Sequence, residues 1–174
     1  MLIRPMTPTD LPAVLAVQQR SYAPDFHEPL AAFASKLEGG VDTCWVAERH
    51  GDATGATDTD RVLAYLVCLP ADAHSLPVLH ASRWQRPAQP RWLYLHDLAV
   101  GPAAQGLGLG PRLVAQARAR ARALGLQQMV LVAVQGSVGF WQRQGFAEAP
   151  APGVAVQEKL SSFGEGARFM ACGL

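Results

Sequence analysis

The spacing of apolar residues divides the first half of the chain into strands and helices. After Asp10, a residue type that caps helix N-termini well, apolar residues recur at helical spacing through Val17. Two apolar runs, TCWVAER and RVLAYLVCL, flank a polar turn at 50–60 and predict a β-hairpin. The elements predicted in this half are a strand at 1–6, a helix beginning after Asp10, a short helix at 30–37 and strands at 43–49 and 61–69.

A strand, a long helix and another strand follow in the second half. WLYLHDLAV (92–100) predicts a strand, and QQMVLVAV (127–134) has the continuous apolar character of a parallel strand that is covered on both faces. Between them, apolar residues line one side of a helix at 108–124, which Gly125 ends. A short helix at 137–144 and two final strands around a loop complete the prediction.

Residues 70–91 carry four prolines and show no clear period. They predict an irregular loop with some local helix near Leu76–His80. Because structureless loops of this length are uncommon in compact domains unless they serve a function, we expect this one to border a substrate site.

Composition indicates one globular domain. The chain has 174 residues, of which 49% are hydrophobic and 17% charged, and a single domain over 1–174 accounts for them. A formal net charge of +1 gives no support for a nucleic-acid partner. No apolar run approaches the roughly 20 residues of a membrane span, so we expect a cytoplasmic protein without a membrane partner. The three cysteines and five histidines lack metal-site spacing, so we expect reduced cysteines and no metal.

The stretch QGLGLG (Gln105–Gly110) places three glycines at alternate positions directly before the long helix. Such backbone suits phosphate, because its amides point outward, the helix dipole attracts anions and glycine allows close approach. The Gly-Lys-Ser/Thr sequence of a nucleoside triphosphate-binding P-loop is missing. The last glycine of a dinucleotide Gly-x-Gly-x-x-Gly is replaced by Pro111 or Leu113, depending on the starting glycine. The pattern that fits is Gln-x-x-Gly-x-Gly.

This pattern, behind a strand that ends in LAV, resembles the acetyl-CoA pyrophosphate loop of the GNAT superfamily of N-acetyltransferases. FWQRQGF (Phe140–Phe146) resembles the second cofactor segment of that family and also follows a strand. The resemblance implies an α/β fold with a mixed, mainly antiparallel sheet of about six to seven strands and helices on both faces. It further implies an acetyl-CoA-binding core at 92–146, with the preceding helices shaping the acceptor site.

The resemblance also implies where acetyl-CoA binds. The loop amides would hold the pyrophosphate, and the end of the central strand would pair with the pantetheine arm. One amide of that strand would polarise the thioester carbonyl. Phe140 and Trp141 of the second segment would lie beside the arm, although plain core packing explains Phe140 and Phe146 at least as well. The expected cofactor-binding residues are Leu98, Ala99, Val100, Gln105, Gly106, Leu107, Gly108, Leu109, Gly110, Phe140 and Trp141.

The expected catalytic residues lie on the central strand. Family members commonly carry Glu or His at the positions that match Tyr94 and His96. Alternation along a strand puts Tyr94, His96 and Leu98 on one face and Asp97 on the other. His96 is the expected base because an imidazole titrates near pH 6.5, although a histidine that is merely packed at a strand end is an alternative. Asp97 is a second candidate, and Tyr94 a substitute proton donor.

One departure from the family concerns the leaving thiolate. The tyrosine that often protonates it is replaced by Trp141, whose indole cannot usefully release a proton. Because a thiol has a pKa near ~8.5, the thiolate can leave with water assisting.

The acceptor is expected to be a small-molecule amine or a peptide N-terminus. Tyr22, Phe26 and Glu28 bring aromatic surface and one carboxylate to the loop between the first two helices. Glu28 could hold an ammonium group there, although ordinary loop packing explains these residues equally well.

Two other functions remain open. Trp141 favours a GNAT-like domain that binds an acyl-CoA as a sensor or scaffold without turnover. A nucleotide-binding oxidoreductase is disfavoured by the failed dinucleotide motif and by the absence of an acidic residue at the required interval. Family members often pair, so a homodimer is open as well, although no segment identifies an interface.

Overall fold

The computed structural model describes residues 1–40, 42–49 and 61–174, so the predicted polar turn at 50–60 lies outside the described residues. The strands are β1 (Leu2–Pro5), β2 (Cys44–Glu48), β3 (Val62–Ala71), β4 (Trp92–Val100), β5 (Gln128–Ala133), β6 (Ala147–Glu148) and β7 (Arg168–Gly173). The α-helices are α1 (Leu11–Ser21), α2 (Leu30–Gly39), α3 (Leu109–Ala123), α4 (Val138–Arg143) and α5 (Gly153–Ser162).

The strands form one seven-stranded sheet in the order β1-β2-β3-β4-β5-β7-β6. Neighbouring strands are antiparallel except β4 and β5, whose parallel pairing joins Trp92–Leu95 to Gln128–Leu131. β4, α3 and β5 therefore form the β-α-β unit that was predicted around the glycine stretch. The predicted fold class, a mixed and mainly antiparallel sheet with helices, is confirmed.

Helices cover both faces of the sheet. One face buries Leu95 in a cluster with residues of α3 and α4. The other buries Tyr65 against α1 and α2, and Tyr94 against α5. Within the described residues, no helix combines the length and the apolar character needed to cross a membrane.

A β-bulge interrupts β4 at His96. Asp97 lies opposite Val67 of β3 and Leu95 lies opposite Cys68, so His96 is an extra residue with no partner of its own on that strand. Bulges re-aim the side chains around them and are over-represented next to functional sites.

The bulge changes which side chains share a face of β4. Leu98 packs with the cluster under α3, whereas Ala99 packs with the cluster under α1 and α2. Asp97 accepts a hydrogen bond of 2.6 Å from the hydroxyl of Tyr65, on the same face as Tyr94. The predicted alternation is therefore wrong beyond the bulge: Asp97 joins the face of Tyr94, and Leu98 leaves it.

Two predictions for the irregular segments were wrong. Residues 76–80 form no helix: 76–78 have no regular secondary structure and 79–80 form a turn. Between β6 and β7, where we predicted a loop, the chain forms α5. The buried residues of α5 are Val156 and Lys159, one turn apart. Because one of the two is a lysine, the apolar pattern did not reveal this helix.

Candidate functional site

The parallel pairing of β4 and β5 stops halfway along β4 and opens one edge of that strand. Among the described residues, β4 has no partner on β5 beyond Leu95, although it continues to Val100. The Gly101 amide donates to the Leu63 carbonyl of β3 at 2.8 Å. Because alternate residues of an antiparallel strand direct their peptide groups to opposite edges, those of Leu98 and Val100 point into the gap.

Two side chains at the C-terminal end of α1, those of Ser21 and Tyr22, reach this open edge. The Tyr22 hydroxyl donates a hydrogen bond of 2.5 Å to the Leu98 carbonyl, and Ser21 Oγ donates one of 3.4 Å to the Val100 carbonyl. The intervening residue, Ala99, lies opposite Tyr65 and directs its peptide groups to β3. Of the three strand residues predicted to contact a cofactor, Leu98 and Val100 therefore offer their amides to a ligand, and Ala99 does not.

The glycine loop at the start of α3 leaves open space in front of its backbone. Gly106 and Gly108 have φ angles of +79° and +70°, which side-chain-bearing residues rarely adopt, and a Cβ on either would meet no atom within 4 Å. Within the described structure, the amides of Gly106, Gly108 and Gly110 make no backbone hydrogen bond. This loop therefore fits an anion, as its sequence predicted.

The other predicted loop residues have different positions. The amides of Gln105 and Leu107 donate to the Pro102 and Ala104 carbonyls. The side chain of Leu107 is exposed and that of Leu109 is buried in the core, where it anchors the start of α3. Because these two amides are already bonded, Gln105 and Leu107 can contact a ligand only through their side chains and carbonyls.

The second predicted cofactor segment lies beside this loop. A Cβ on Gly110 would lie 3.3 Å from the Phe140 ring of α4 and 3.8 Å from a methyl group of Val100. Phe140 and Phe146 pack edge-on against Trp141, with ring centroids 4.9 and 5.5 Å from the indole. Trp141 is largely buried in the core, so a contact between its ring and a cofactor stays a prediction.

A small cavity of about 50 Å³ brings the predicted acceptor and catalytic residues together. Leu79, from the proline-rich segment 70–91, also lines it, in keeping with the expectation that this segment borders a substrate site. So does Phe163, which follows α5 and stacks on Phe26 with ring centroids 6.4 Å apart. The six predicted residues that line the cavity are Tyr22, Phe26, Glu28, Tyr94, His96 and Asp97.

A buried network of charged and polar groups lies at this cavity. His96 Nε2 is 2.8 Å from Glu28 Oε2, and Lys36 Nζ of α2 donates to Glu28 Oε1 at 2.9 Å. The His80 amide also donates to Glu28 Oε1, at 3.0 Å. The side chains of Lys36, Glu28 and His96 are only 0%, 2% and 3% exposed. Glu28 was expected to hold a substrate ammonium group, but both of its oxygens already have donors within the protein.

The charges in this network determine the form of His96. Burial alone would raise the pKa of Glu28, but His96 and Lys36 lower it to about 2, so the carboxylate is ionised. Burial also lowers the pKa of His96 below its usual value, against the opposing effect of Glu28, so the imidazole is neutral near pH 7. Since a carboxylate only accepts hydrogen bonds, the proton of neutral His96 resides on Nε2.

His96 Nδ1 is left with a free lone pair. It is buried and has no hydrogen-bond partner, and no other buried side-chain nitrogen or oxygen of the described residues shares that property. His96 as a whole is partly exposed although its side chain is 3% exposed, so its accessible atoms belong to the main chain of the bulge. A neutral imidazole with one free nitrogen can accept a proton from a group that enters the cavity.

Asp97 and Tyr94 complete the polar part of the cavity wall. Burial raises the pKa of Asp97 to about 6, although the hydrogen bond from Tyr65 opposes this. Burial also raises the pKa of Tyr94 well above its usual value, and the Glu28 charge adds to that shift. Tyr94 therefore stays protonated, and its ring centroid lies 5.8 Å from that of His96.

Sequence reasoning missed two lysines of the site. Lys36 lies in a helix that was predicted from its apolar residues. Lys159 of α5 donates to the Pro77 carbonyl and lies over the rings of Tyr94 and Phe163, 5.3 and 5.1 Å from their centroids. Burial lowers the pKa of Lys159 to about 8. A lysine at a core position of a helix is the signal that could have drawn attention to either residue.

The described residues contain no group of His, Cys, Asp or Glu side chains that could hold a metal ion. Cys44, Cys68 and Cys172 are all free thiols.

Comparisons with known proteins identify the family and the fold of the chain. A protein-family model described as the acetyltransferase (GNAT) family matches residues 11–146. No curated protein matches the chain in sequence. Among solved structures, a GNAT-like decarboxylase, GphF, in complex with isobutyryl-CoA has a TM-score of 0.75 at 17% identity, with 99% of each chain covered.

Two further solved structures are acetyltransferases by name. The ribosomal-protein-alanine N-acetyltransferase from Brucella melitensis has a TM-score of 0.65 at 23% identity, with 100% of each chain covered. The ribosomal-protein-S18-alanine N-acetyltransferase from Escherichia coli has a TM-score of 0.67 at 20% identity, with 99% of this chain and 92% of that chain covered. At these identities the likeness concerns the fold.

Proposed function

The chain belongs to the GNAT acetyltransferase family, and from this premise we propose that it is an N-acetyltransferase that transfers the acetyl group of acetyl-CoA to an amine. The observation that carries the proposal is the state of His96. His96 is one of the residues that line the cavity beside the gap between β4 and β5, and its buried Nδ1 atom has no partner. A free imidazole nitrogen at this point is suited to take the proton of an attacking amine.

The open backbone on both sides of the gap supports acetyl-CoA as the acetyl donor. The amides of Gly106, Gly108 and Gly110 are suited to the pyrophosphate. The amides of Leu98 and Val100 are suited to the pantetheine arm. The Leu98 amide follows the bulge by two residues and would polarise the thioester carbonyl, an effect worth about 3 kcal/mol. The isobutyryl-CoA complex of GphF supports binding of a CoA thioester by this fold.

Acetyl-CoA supplies the acetyl group as a thioester, and the protein must deprotonate the acceptor. An alkylammonium group has a pKa of about 10.4, so at neutral pH it is not a nucleophile. Neutral His96 takes one proton at Nδ1, while its Nε2–H group keeps its hydrogen bond to Glu28. The amine nitrogen then forms the new C–N bond, and the electron pair of the broken C–S bond leaves with the CoA sulfur. The second proton of the nitrogen passes through water to the departing thiolate, which leaves a neutral amide and free CoA.

The leaving thiolate does not require an acid from the protein. A thiol with a pKa near ~8.5 is about 1.5 units above neutral, which corresponds to about 2 kcal/mol. Trp141 therefore does not exclude turnover, and water can protonate the thiolate.

We propose a small-molecule amine or a peptide N-terminus as the acceptor. The cavity is small and largely aromatic, so it suits an amino group with a short substituent. With Glu28 occupied by internal donors, the groups of the cavity wall left to attract an ammonium ion are the carboxylate of Asp97 and the aromatic rings. The two ribosomal-protein-alanine N-acetyltransferases among the structural neighbours support the peptide N-terminus.

Trp141 favours one alternative, an acyl-CoA-binding sensor or scaffold without turnover. Its indole replaces a proton donor and packs into the core between Phe140 and Phe146. In such a protein the unpartnered Nδ1 of His96 would have no catalytic use.

A thiol-release assay separates the two functions. The protein is incubated with acetyl-CoA, or with longer acyl-CoAs, and a panel of amines and short peptides, while calorimetry measures acyl-CoA binding. Amine-dependent release of CoA with formation of the acetylated amine supports the transferase. Tight acyl-CoA binding without release for any acceptor supports the sensor, and thiol release is also compared with and without amine to detect hydrolysis.

A further inference from the structure

We propose that Glu28 is a positioning residue for His96, that Lys36 is its fixed counter-charge, and that together they select the imidazole tautomer in which Nδ1 receives the proton. The catalytic use of that proton acceptor rests on the proposed function. The tautomer itself does not, because the buried hydrogen bonds determine it before any substrate binds.

The two oxygens of Glu28 have separate partners. Oε1 accepts from Lys36 Nζ at 2.9 Å and from the His80 amide at 3.0 Å. Oε2 lies 2.8 Å from His96 Nε2. The two donors at Oε1 fix the orientation of the carboxylate. Oε2 therefore faces the imidazole as a hydrogen-bond acceptor.

The main chain of Glu28 is held as firmly as its side chain. Its amide donates to Gln18 Oε1 at 2.9 Å, and its carbonyl accepts from Gln18 Nε2 at 3.1 Å. Gln18 is buried in α1. This double contact fixes the segment between α1 and α2 against a helix, and it explains how an irregular segment can hold a carboxylate in a defined position.

The groups around His96 leave Nδ1 as the free atom. Besides Glu28, the titratable groups that act on the ring are Lys36 of α2 and Lys159 of α5. The neighbouring side chains of β4 are Tyr94, whose ring centroid lies 5.8 Å from that of His96, and Asp97, which faces the same cavity. Tyr65 of β3 donates its hydroxyl proton to Asp97 and makes no hydrogen bond to His96. Nδ1 is the one buried side-chain polar atom of the described residues without a partner.

A purely structural ion pair does not need this arrangement. Lys36 and Glu28 would neutralise each other without an imidazole, and a histidine that served packing alone would leave no buried nitrogen unsatisfied. The arrangement matches what a base requires: a proton held on one nitrogen by a carboxylate, and a lone pair on the other nitrogen directed away from it.

The variant Glu28→Gln tests the tautomer. Because Lys36 and the His80 amide both donate towards Oε1, the glutamine carbonyl takes that position and its NH₂ group faces His96 Nε2. The amide then donates, so the imidazole proton must move to Nδ1. Nitrogen NMR of ¹⁵N-histidine-labelled protein, with the His96 signals assigned from a His96→Gln sample, reads the tautomer directly. We expect a protonated Nε2 in the wild type near pH 7.5 and a protonated Nδ1 in Glu28→Gln.

Kinetics provide the second readout. We expect Glu28→Gln to lower kcat about 10²- to 10⁴-fold, as loss of a proton acceptor does, while the Kd for acetyl-CoA is unchanged. The matched control is Glu158→Gln on the exposed side of α5, for which both values should equal those of the wild type. Glu28→Asp, which keeps the charge, should recover part of kcat and the wild-type tautomer.

The outcomes separate this proposal from the proposed function. A wild-type spectrum with the proton on Nδ1 overturns the proposal whatever the activity, even if Glu28→Gln does not fold. Unchanged kcat and an unchanged spectrum in a folded Glu28→Gln also overturn it. If no amine supports turnover but the two spectra differ as expected, the positioning role stands and the transferase fails.

Discussion

His96 Nε2 lies 2.8 Å from Glu28 Oε2, although 68 positions separate the two residues in the chain. The contact joins the segment between α1 and α2 to the bulge of the central strand. It therefore connects the first two helices to the strand whose outer edge is open beyond Leu95. One buried carboxylate thus decides which imidazole nitrogen is left without a hydrogen-bond partner.

The pH profile of kcat should reflect the neutral form of His96. Because burial lowers the pKa of this imidazole, the acid limb of kcat at saturating substrates should have its midpoint below pH 6.5, where the ring gains its second proton. Asp97, with a pKa of about 6, is the other group that titrates in this range. The acid limb should persist in Asp97→Asn, and its disappearance there would assign it to Asp97 instead.

Gly108→Ala should weaken acetyl-CoA binding at least tenfold by calorimetry, because the added methyl group occupies the open space in front of the loop amides. Gly125, at the end of α3, is a matched control with nearly the same backbone: its φ is +68° against +70° at Gly108, and a Cβ on either meets no atom within 4 Å. Both alanines should cost about 1 kcal/mol of stability. Equal affinities in the two variants would remove the loop from the cofactor site.

Glu28 should contribute stability that acid removes. Its pKa falls from 4.5 to about 2 on folding, so its contribution is present above pH 4.5 and is lost as the pH falls through about 2. A shift of this size corresponds to about 3 kcal/mol. Urea unfolding should show a large stability gap between wild type and Glu28→Gln at pH 7 and a much smaller one at pH 2.5. A gap that does not change with pH would show that the carboxylate is not held in its ionised form.

Lys159 should have the opposite pH dependence. Its pKa falls from 10.5 to about 8 on folding, so the unfolded chain binds the extra proton between these values and stability rises with pH across this range, by up to about 3 kcal/mol. Lys159→Met should lack that rise in urea unfolding between pH 7.5 and pH 10. Gln157→Met, at an exposed position of the same helix, should retain it. An equal rise in all three proteins would mean that Lys159 is not desolvated.

The glycine loop and the elements on either side of it could be predicted from the sequence because their signals are local. The glycines of 105–110, the strand before them and the helix after them are consecutive in the chain, and β4, α3 and β5 form as their patterns predict. Phe140 could be added for the same reason, because its segment is short and self-contained. The structure places it 3.3 Å from the position of a Cβ on Gly110.

The acceptor side depends on contacts between distant segments. The bulge at His96 arises from the register between β3 and β4, which strict alternation along one strand cannot reveal. The role of Glu28 depends on Lys36, which is fully buried in a helix that was predicted from its apolar residues alone. α5 was missed because Lys159 occupies one of its core positions. In each case a polar or unpaired residue lies where an apolar or paired one is usual. The contacts that account for it come from distant parts of the chain.

The measurement that tests the account most directly is the kcat of His96→Gln for CoA release, with saturating acetyl-CoA and the best acceptor amine, across pH 5.5 to 9. If His96 is the base, kcat should fall about 10²- to 10⁴-fold near neutral pH. The acid limb of the wild type should disappear, and the Kd for acetyl-CoA should be unchanged. A kcat within twofold of the wild type over that whole pH range would contradict the account.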